Sequence, residues 1–175
     1  LCSARETLGE SCRACLVCDG RACRNRIPGP GAKGTGDTAI RNYDKWAEIR
    51  LNMDTLCPGG EPDTSCELFG RAFRYPFFAG PVGAVNLHYA DAYDDMRYND
   101  VLVHACAAGG IAAFTGDGTD PNVMTQATRA IAAAAGCGVP TIKPWDMGTI
   151  RAKMAQAKES GCFAVAMDVD AAGLP

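Results

Sequence analysis

From residue 75 onward, four apolar runs at 77–82, 111–115, 139–143 and 163–169 alternate with segments of helical character. This alternation restricts the fold more than any other feature of the chain. A helix between two near-continuous apolar strands returns the chain to the same edge, so the strands run parallel and are buried on both faces. Local punctuation marks the helices. Asp120-Pro121 supplies a cap and a first-turn proline with Gly136 past the end, and Asp146 and Gly161 bracket the next helix. Gly109-Gly110 closes the segment that carries Leu102, Val103 and Cys106. The expected class is therefore α/β. A doubly wound sheet and a (β/α)8 barrel both fit the alternation. A whole barrel takes roughly 250 residues, so on the barrel reading these 175 residues hold only its first half.

Ahead of this regular part the chain changes character twice. Residues 1–37 hold closely spaced cysteines and Pro28-Gly29-Pro30-Gly31 but few large apolar side chains, so they need a metal, disulfides or a docking partner to become ordered. In residues 38–74 the spacing of Ile40, Tyr43, Trp46, Ala47 and Ile49 predicts an amphipathic helix over 38–49, with Asp37 as its cap. Pro58-Gly59-Gly60 and Phe69-Gly70 then suit short strands or a hairpin. The expected organisation is thus a Cys-rich segment over 1–37, a helix and hairpin over 38–74, and a strand–helix region over 75–175. Starting at Leu1 and stopping at Pro175 after an apolar run, the chain reads as cut at both ends. No leader pattern is present, which makes a cytoplasmic protein the expectation.

Charge and composition narrow the partners. Seventeen Lys and Arg against twenty Asp and Glu leave a formal charge of −3, without a basic run to track phosphates, so nucleic acid is not expected. No window of about 18 uninterrupted apolar residues occurs, and no membrane span is expected. A hydrophobic share of 47 % with 21 % charged residues excludes a disordered tail.

Two constellations carry chemistry. Cys12, Cys15, Cys18 and Cys23 put four thiols within twelve residues, which lets short turns converge sulfurs on a metal centre. An iron–sulfur cluster is favoured slightly over zinc, because structural zinc knuckles are usually separated by a longer loop; disulfides or a thiol switch are the alternatives. Arg21, Arg24 and Arg26 would favour thiolates there, or form a solvated basic face. Cys57, Cys66, Cys106, Cys137 and Cys162 stand singly and read as small core residues or inert thiols. The second constellation lies at the carboxyl ends of the strands: Gly80-Pro81-Val82-Gly83, Thr115-Gly116-Asp117-Gly118, Lys143-Pro144-Trp145-Asp146 and Asp168-Val169-Asp170. Gly116, Gly118 and Asp146 read individually as turn and cap residues. Lys143 ends an apolar strand, where an ammonium either meets an anion or snorkels to water. Asp168 and Asp170, two apart on a strand, point to one face, and buried there they require a cation, a donor or a reacting proton. His88 and His104, the only histidines, complete no recognisable triad.

From residue 38 to residue 170 the order of elements resembles that of the FMN-dependent α-hydroxy-acid oxidases and dehydrogenases. The motifs that carry the likeness are Thr38-x3-Asn42-x6-Ile49-Arg50, Pro76-x2-Ala79-Gly80-Pro81-Val82-Gly83-Ala84 and Phe163-Ala164-Val165-Ala166-Met167-Asp168-Val169-Asp170. The chain is most similar to a bacterial branch that carries Cys-x-x-Cys-x-x-Cys-Asx-Gly-x-x-Cys followed by Ile-Pro-Gly-x-Gly-x-Lys-Gly-Thr-Gly, here residues 12–23 and 27–36. The resemblance implies a (β/α)8 barrel with FMN at the carboxyl ends of the strands. It implies that Pro81, Val82, Gly83 and Ala84 form the turn against the flavin ring and that Thr115 contacts it. Thr141 and Lys143 fall, allowing a short gap, where the family often has a Gln on the flavin and a Tyr near the substrate. Asp168 takes the place of a flavin-side Thr, and Asp170 that of a carboxylate orienting the catalytic histidine.

On this resemblance the expected reaction is FMN-dependent oxidation of a small 2-hydroxy acid, such as lactate or glycolate, to a 2-oxo acid. Asp170 and Asp168 are the catalytic candidates in this chain, and the histidine base and a substrate Arg lie beyond Pro175. Two departures qualify the likeness. The family's substrate Tyr has no counterpart in residues 27–32, and the Arg expected soon after Asp170 is absent from Ala171-Ala172-Gly173. An FMN-dependent isomerase of the isopentenyl diphosphate type is therefore the alternative reaction, and a non-catalytic metal or electron-transfer module the alternative class. A half-barrel exposes sheet edges and interior, so pairing with the missing half, with a partner chain or in a homo-oligomer is expected.

Overall fold

The computed structural model describes residues 1–8, 12–23, 35–86 and 91–169. Two units emerge, one formed by Leu1–Glu61 with Asn86–Ala92 and the other by Pro62–Val85 with Tyr93–Pro175. In the first, helix α1 spans Cys2–Leu8, a 3-10 turn spans Arg21–Cys23, and helix α2 spans Asp37–Trp46. Asp37 does not cap α2 as expected. The cap position is Gly36, in the left-handed conformation with φ 71°, and Asp37 stands in the first turn, where its charge favours the helix dipole. The expected apolar face of α2 is not buried: Tyr43 and Trp46 are exposed, and Ile49 lies past the helix end. Arg21 links the cysteine segment to α2 by reaching Asp19 at 2.8 Å and Asp44 at 3.2 Å. Gly20 permits this approach, since it has φ 79° and a Cβ there would press on Ala39 at 2.8 Å.

The second unit opens with the predicted hairpin. Strands β1 (Cys66–Leu68) and β2 (Arg71–Phe73) pair antiparallel, with Leu68 opposite Arg71. Phe69 and Gly70 between them both have positive φ, which is the two-residue turn that matches strand twist. The strand–helix part follows as helix α3 (Asp95–Gly109), β3 (Phe114–Thr115), helix α4 (Pro121–Ala133), β4 (Val139–Ile142), helix α5 (Met147–Glu159) and β5 (Ala166–Met167). The three strands are parallel in the order β3-β4-β5. The apolar run at 77–82 contributes less than the full strand expected of it: a single parallel bridge joins Ala79 to Ala113. The sheet thus grows by one neighbour per crossover, in chain order.

Helix boundaries follow the local signals. Asp120 accepts from the Asn122 amide with Pro121 in the first turn, Asp146 accepts from the Gly148 and Thr149 amides, and Gly110 ends α3 with φ 77°. Asp94 caps α3 by accepting from the Arg97 amide at 2.7 Å. Val123, Met124, Ala127, Ala130 and Ile131 recur at helical spacing and form the buried face of α4. Val103, Cys106, Ala113, Ala130 and Ile131 make one core cluster, and Met124, Ile142 and Ala157 a second. At the amino ends of the strands Phe73 packs against Ala112 and Cys137, with its ring 5.5 Å from Phe78 and 5.4 Å from Phe163. The hairpin therefore covers the amino end of the sheet and leaves the carboxyl end for chemistry. Among the described residues, no helix is long and apolar enough to cross a membrane.

Candidate functional site

Strand register decides which side chains share a face. Thr115 pairs with Pro140, Thr141 with Ala166, and Ile142 with Met167. Side chains alternate along a strand, so Thr115, Pro140 and Ile142 share one face and Thr141 the other. Ile142 packs against Met124 and Ala157, which makes its face the helix-facing one. Continuing the alternation, Lys143 and Asp168 join Thr141 on the opposite face, and their ion pair, Lys143 Nζ to Asp168 Oδ2 at 3.1 Å, agrees with that placement. Thr115 and Thr141, grouped by the sequence, are thus separated by the sheet. Both hydroxyls are buried without a hydrogen-bond partner among the described residues. A buried hydroxyl left unpaired costs about 1–3 kcal/mol, which marks a place where a ligand atom or a water completes the structure.

A second charged group lies deeper, and its members share no local sequence signal. Asp117 is 4 % exposed and its two carboxylate oxygens accept four donors. Oδ1 takes the Lys153 ammonium at 2.5 Å and the Gly118 amide at 2.9 Å; Oδ2 takes the Trp145 indole at 2.7 Å and the Lys143 amide at 3.0 Å. Lys153, from α5, is 7 % exposed and also lies over the Trp145 ring. A buried pair broken on one side costs about 3–5 kcal/mol, whereas a partly solvated pair such as Lys143–Asp168 contributes about 1 kcal/mol or less. Asp117–Lys153 is therefore the structural pair, and Lys143–Asp168 the one with little structural reason to exist.

The loop after Ala79 lies directly on the loop after β3. A Cβ on Gly116 would collide with the Val82 carbonyl, and one on Gly83 would stand 2.9 Å from the Asp117 carbonyl, so both glycines serve close backbone approach. Buried Asn99 of α3 clamps the Gly116 peptide, accepting from its amide at 3.1 Å and donating to its carbonyl at 3.3 Å. Asp95 accepts from the Val85 amide at 2.8 Å and so holds the far end of the 81–84 turn. Within that turn Ala84 has φ 50°, a conformation that costs a non-glycine residue about 1 kcal/mol and is retained where surrounding contacts impose it. Asn99, Asp95 and Lys153 had no local signal, because each acts through partners distant in the chain.

Other candidates are placed as follows. Asp170 and His88 lie outside the described residues, and His104 is an exposed helix residue with Nδ1 2.8 Å from the Asp100 carbonyl. Cys12, Cys15 and Cys23 are partly buried and Cys18 is exposed, and no disulfide joins cysteines among the described residues. Among the described residues, no three His, Cys, Asp or Glu side chains converge on a metal position. The Ala14 amide donates to Cys12 Sγ at 3.3 Å, with Ala14 itself at φ 44°. Burial, reinforced by nearby Cys137, pushes the Cys106 thiol upward, which keeps it protonated and inert as a core residue. The Thr149 hydroxyl and helix-start amides hold the Asp146 carboxyl below its ordinary value, the mark of a cap.

Comparison with curated proteins gives no match. A family model described as FMN-dependent dehydrogenase matches residues 29–175, which include every strand and all the strand-end residues above. With most of its length inside that match, the chain belongs to the FMN-dependent dehydrogenase family.

Proposed function

We propose that the protein is a cytoplasmic enzyme that oxidises a small 2-hydroxy acid, such as lactate or glycolate, to the 2-oxo acid, and that residues 75–175 form the first half of a (β/α)8 barrel. Family membership brings FMN-linked oxidoreduction. The barrel reading is supported by a parallel sheet that grows in chain order, since a doubly wound sheet reverses direction at a switch point. The observation that carries the substrate reading is the face shared by Thr141, Lys143 and Asp168: a cation, a carboxylate and an unpartnered hydroxyl at the carboxyl ends of adjacent strands.

These residues fit FMN. The Thr141 hydroxyl lacks a partner among the described residues, and the 81–84 turn is fixed in shape by Gly116, Asn99 and Asp95 before any ligand arrives. Pro81, Val82, Gly83 and Ala84 would hold the ring and Thr141 one of its polar edges. The resemblance also gives Thr115 a flavin contact, although strand register puts its buried hydroxyl on the helix-facing side. Bound FMN supplies the acceptor for a hydride equivalent. Asp168 keeps the Lys143 ammonium at the mouth of the site, and Asp170 steadies a protonated histidine contributed by the remainder of the barrel. Cys12, Cys15, Cys18 and Cys23 would bind an iron–sulfur cluster or zinc in this proposal, a reading that rests on their spacing, since no three of them converge among the described residues.

Anaerobic mixing with lactate and glycolate tests the reaction. Bleaching of the flavin by either supports it. Oxidised flavin that persists with both, while isopentenyl diphosphate is isomerised, supports the second reading, which Lys143 also serves because an ammonium suits a diphosphate as well as a carboxylate.

A further inference from the structure

We propose that Lys143 is the anchor for the substrate carboxylate and that Asp168 holds its ammonium in place until substrate exchanges for it; this rests on the reading of the site as one for a 2-hydroxy acid. An ammonium has three donors, and among the described residues Asp168 Oδ2, at 3.1 Å, is the acceptor that Lys143 Nζ meets. Two donors are left for an incoming anion. The side chains of Lys143 and Asp168 are 29 % and 24 % exposed, so a small ligand reaches both without unfolding anything. Thr141, 3 % exposed with its hydroxyl unpartnered among the described residues, belongs to the same face two residues earlier and independently leaves there a polar group for a ligand atom or a water to complete.

The root of Lys143 is fixed while its tip is not. Asp117 Oδ2 accepts from the Lys143 amide at 3.0 Å, and Asp117 is itself locked by Lys153, so the backbone is pinned at the strand end. The four-carbon stem beyond it pivots from one carboxylate to another. An anion entering the site replaces one charge-assisted hydrogen bond with another, whereas an uncharged ligand of the same shape has nothing to offer the ammonium. Lys143 therefore discriminates by charge, and Asp168 competes with the ligand it helps to admit.

Opposite shifts from the two partners test this. Full-length protein loaded with FMN, as wild type, K143M, K143R and D168N, is titrated calorimetrically with oxalate and with uncharged oxamide. Oxalate affinity is expected to fall about tenfold or more in K143M, to be largely retained in K143R, and to rise in D168N, with oxamide affinity equal in wild type and K143M. Oxalate binding that K143M leaves intact, that D168N weakens as K143M does, or that wild type lacks would overturn the anchor. Flavin content and lactate bleaching, read on the same samples, judge the reading of the reaction separately, because calorimetry reports oxalate binding whether or not flavin is bound.

Discussion

Asp117 and Lys143 hold charges of different purpose within one loop system. Asp117 has every lone-pair direction engaged and almost no water, so its neutral variant D117N leaves Lys153 as a buried, uncompensated cation. Urea denaturation should show D117N or K153M destabilised by about 3–5 kcal/mol, against about 1 kcal/mol or less for K143M. Equal losses would show that the partly solvated pair is structural after all. Asp146 gives a pH-dependent counterpart. Its carboxyl is held below the ordinary 3.8 by the Thr149 hydroxyl and the helix-start amides. A lowered folded value means that the cap's stabilisation is complete above 3.8 and disappears as pH falls through the folded value. Thermal melts should therefore place D146A below wild type at pH 7, with the gap closing in strong acid.

At the scale of elements, packing between loops matters more than helix or strand length. Gly116 Cα stands where a methyl group would strike the Val82 carbonyl, so G116A should displace the 81–84 turn and weaken FMN binding, read by flavin fluorescence on dilution. Truncating Phe73 acts at the other end of the sheet. F73A should lose about 3–5 kcal/mol of stability while flavin affinity is preserved, since the hairpin covers the amino ends and the proposed ring turn lies at the carboxyl ends. What was legible in the sequence follows the same division. Asp120-Pro121, Asp146 and Gly110 were readable because a cap is written within four residues of the helix it starts or ends. Lys153 looks like any helix lysine until Asp117, 36 residues earlier, is brought to it, and Asn99 finds Gly116 only across a helix–strand contact. Asp37 was misplaced by one position because Gly36 takes the left-handed conformation itself. The resemblance assigns both Thr115 and Thr141 to the flavin, and only register, which is set by neighbouring strands and not by the strand's own residues, puts them on opposite faces.

For the molecule as a whole, the second unit presents a strand edge and an apolar groove where the proposed barrel would continue. Within the described residues β5 pairs on one side with β4, and Met154, Cys162, Phe163 and Val165 line an open apolar groove of about 450 Å³ between α5 and the approach to β5. Met167 and Val169 are also exposed. Residues 1–175 expressed alone should self-associate, as light scattering during gel filtration would report; a stable, dilute monomer would count against a half-barrel that needs completion. FMN binding and its reduction by substrate are read together in the visible absorption spectrum of the full-length protein purified without oxygen. Flavin bands that bleach on adding lactate or glycolate are expected, with a broad sulfur-to-iron shoulder beneath them if the cysteines hold a cluster. A protein without flavin bands, to which added FMN does not bind, would contradict the proposed function.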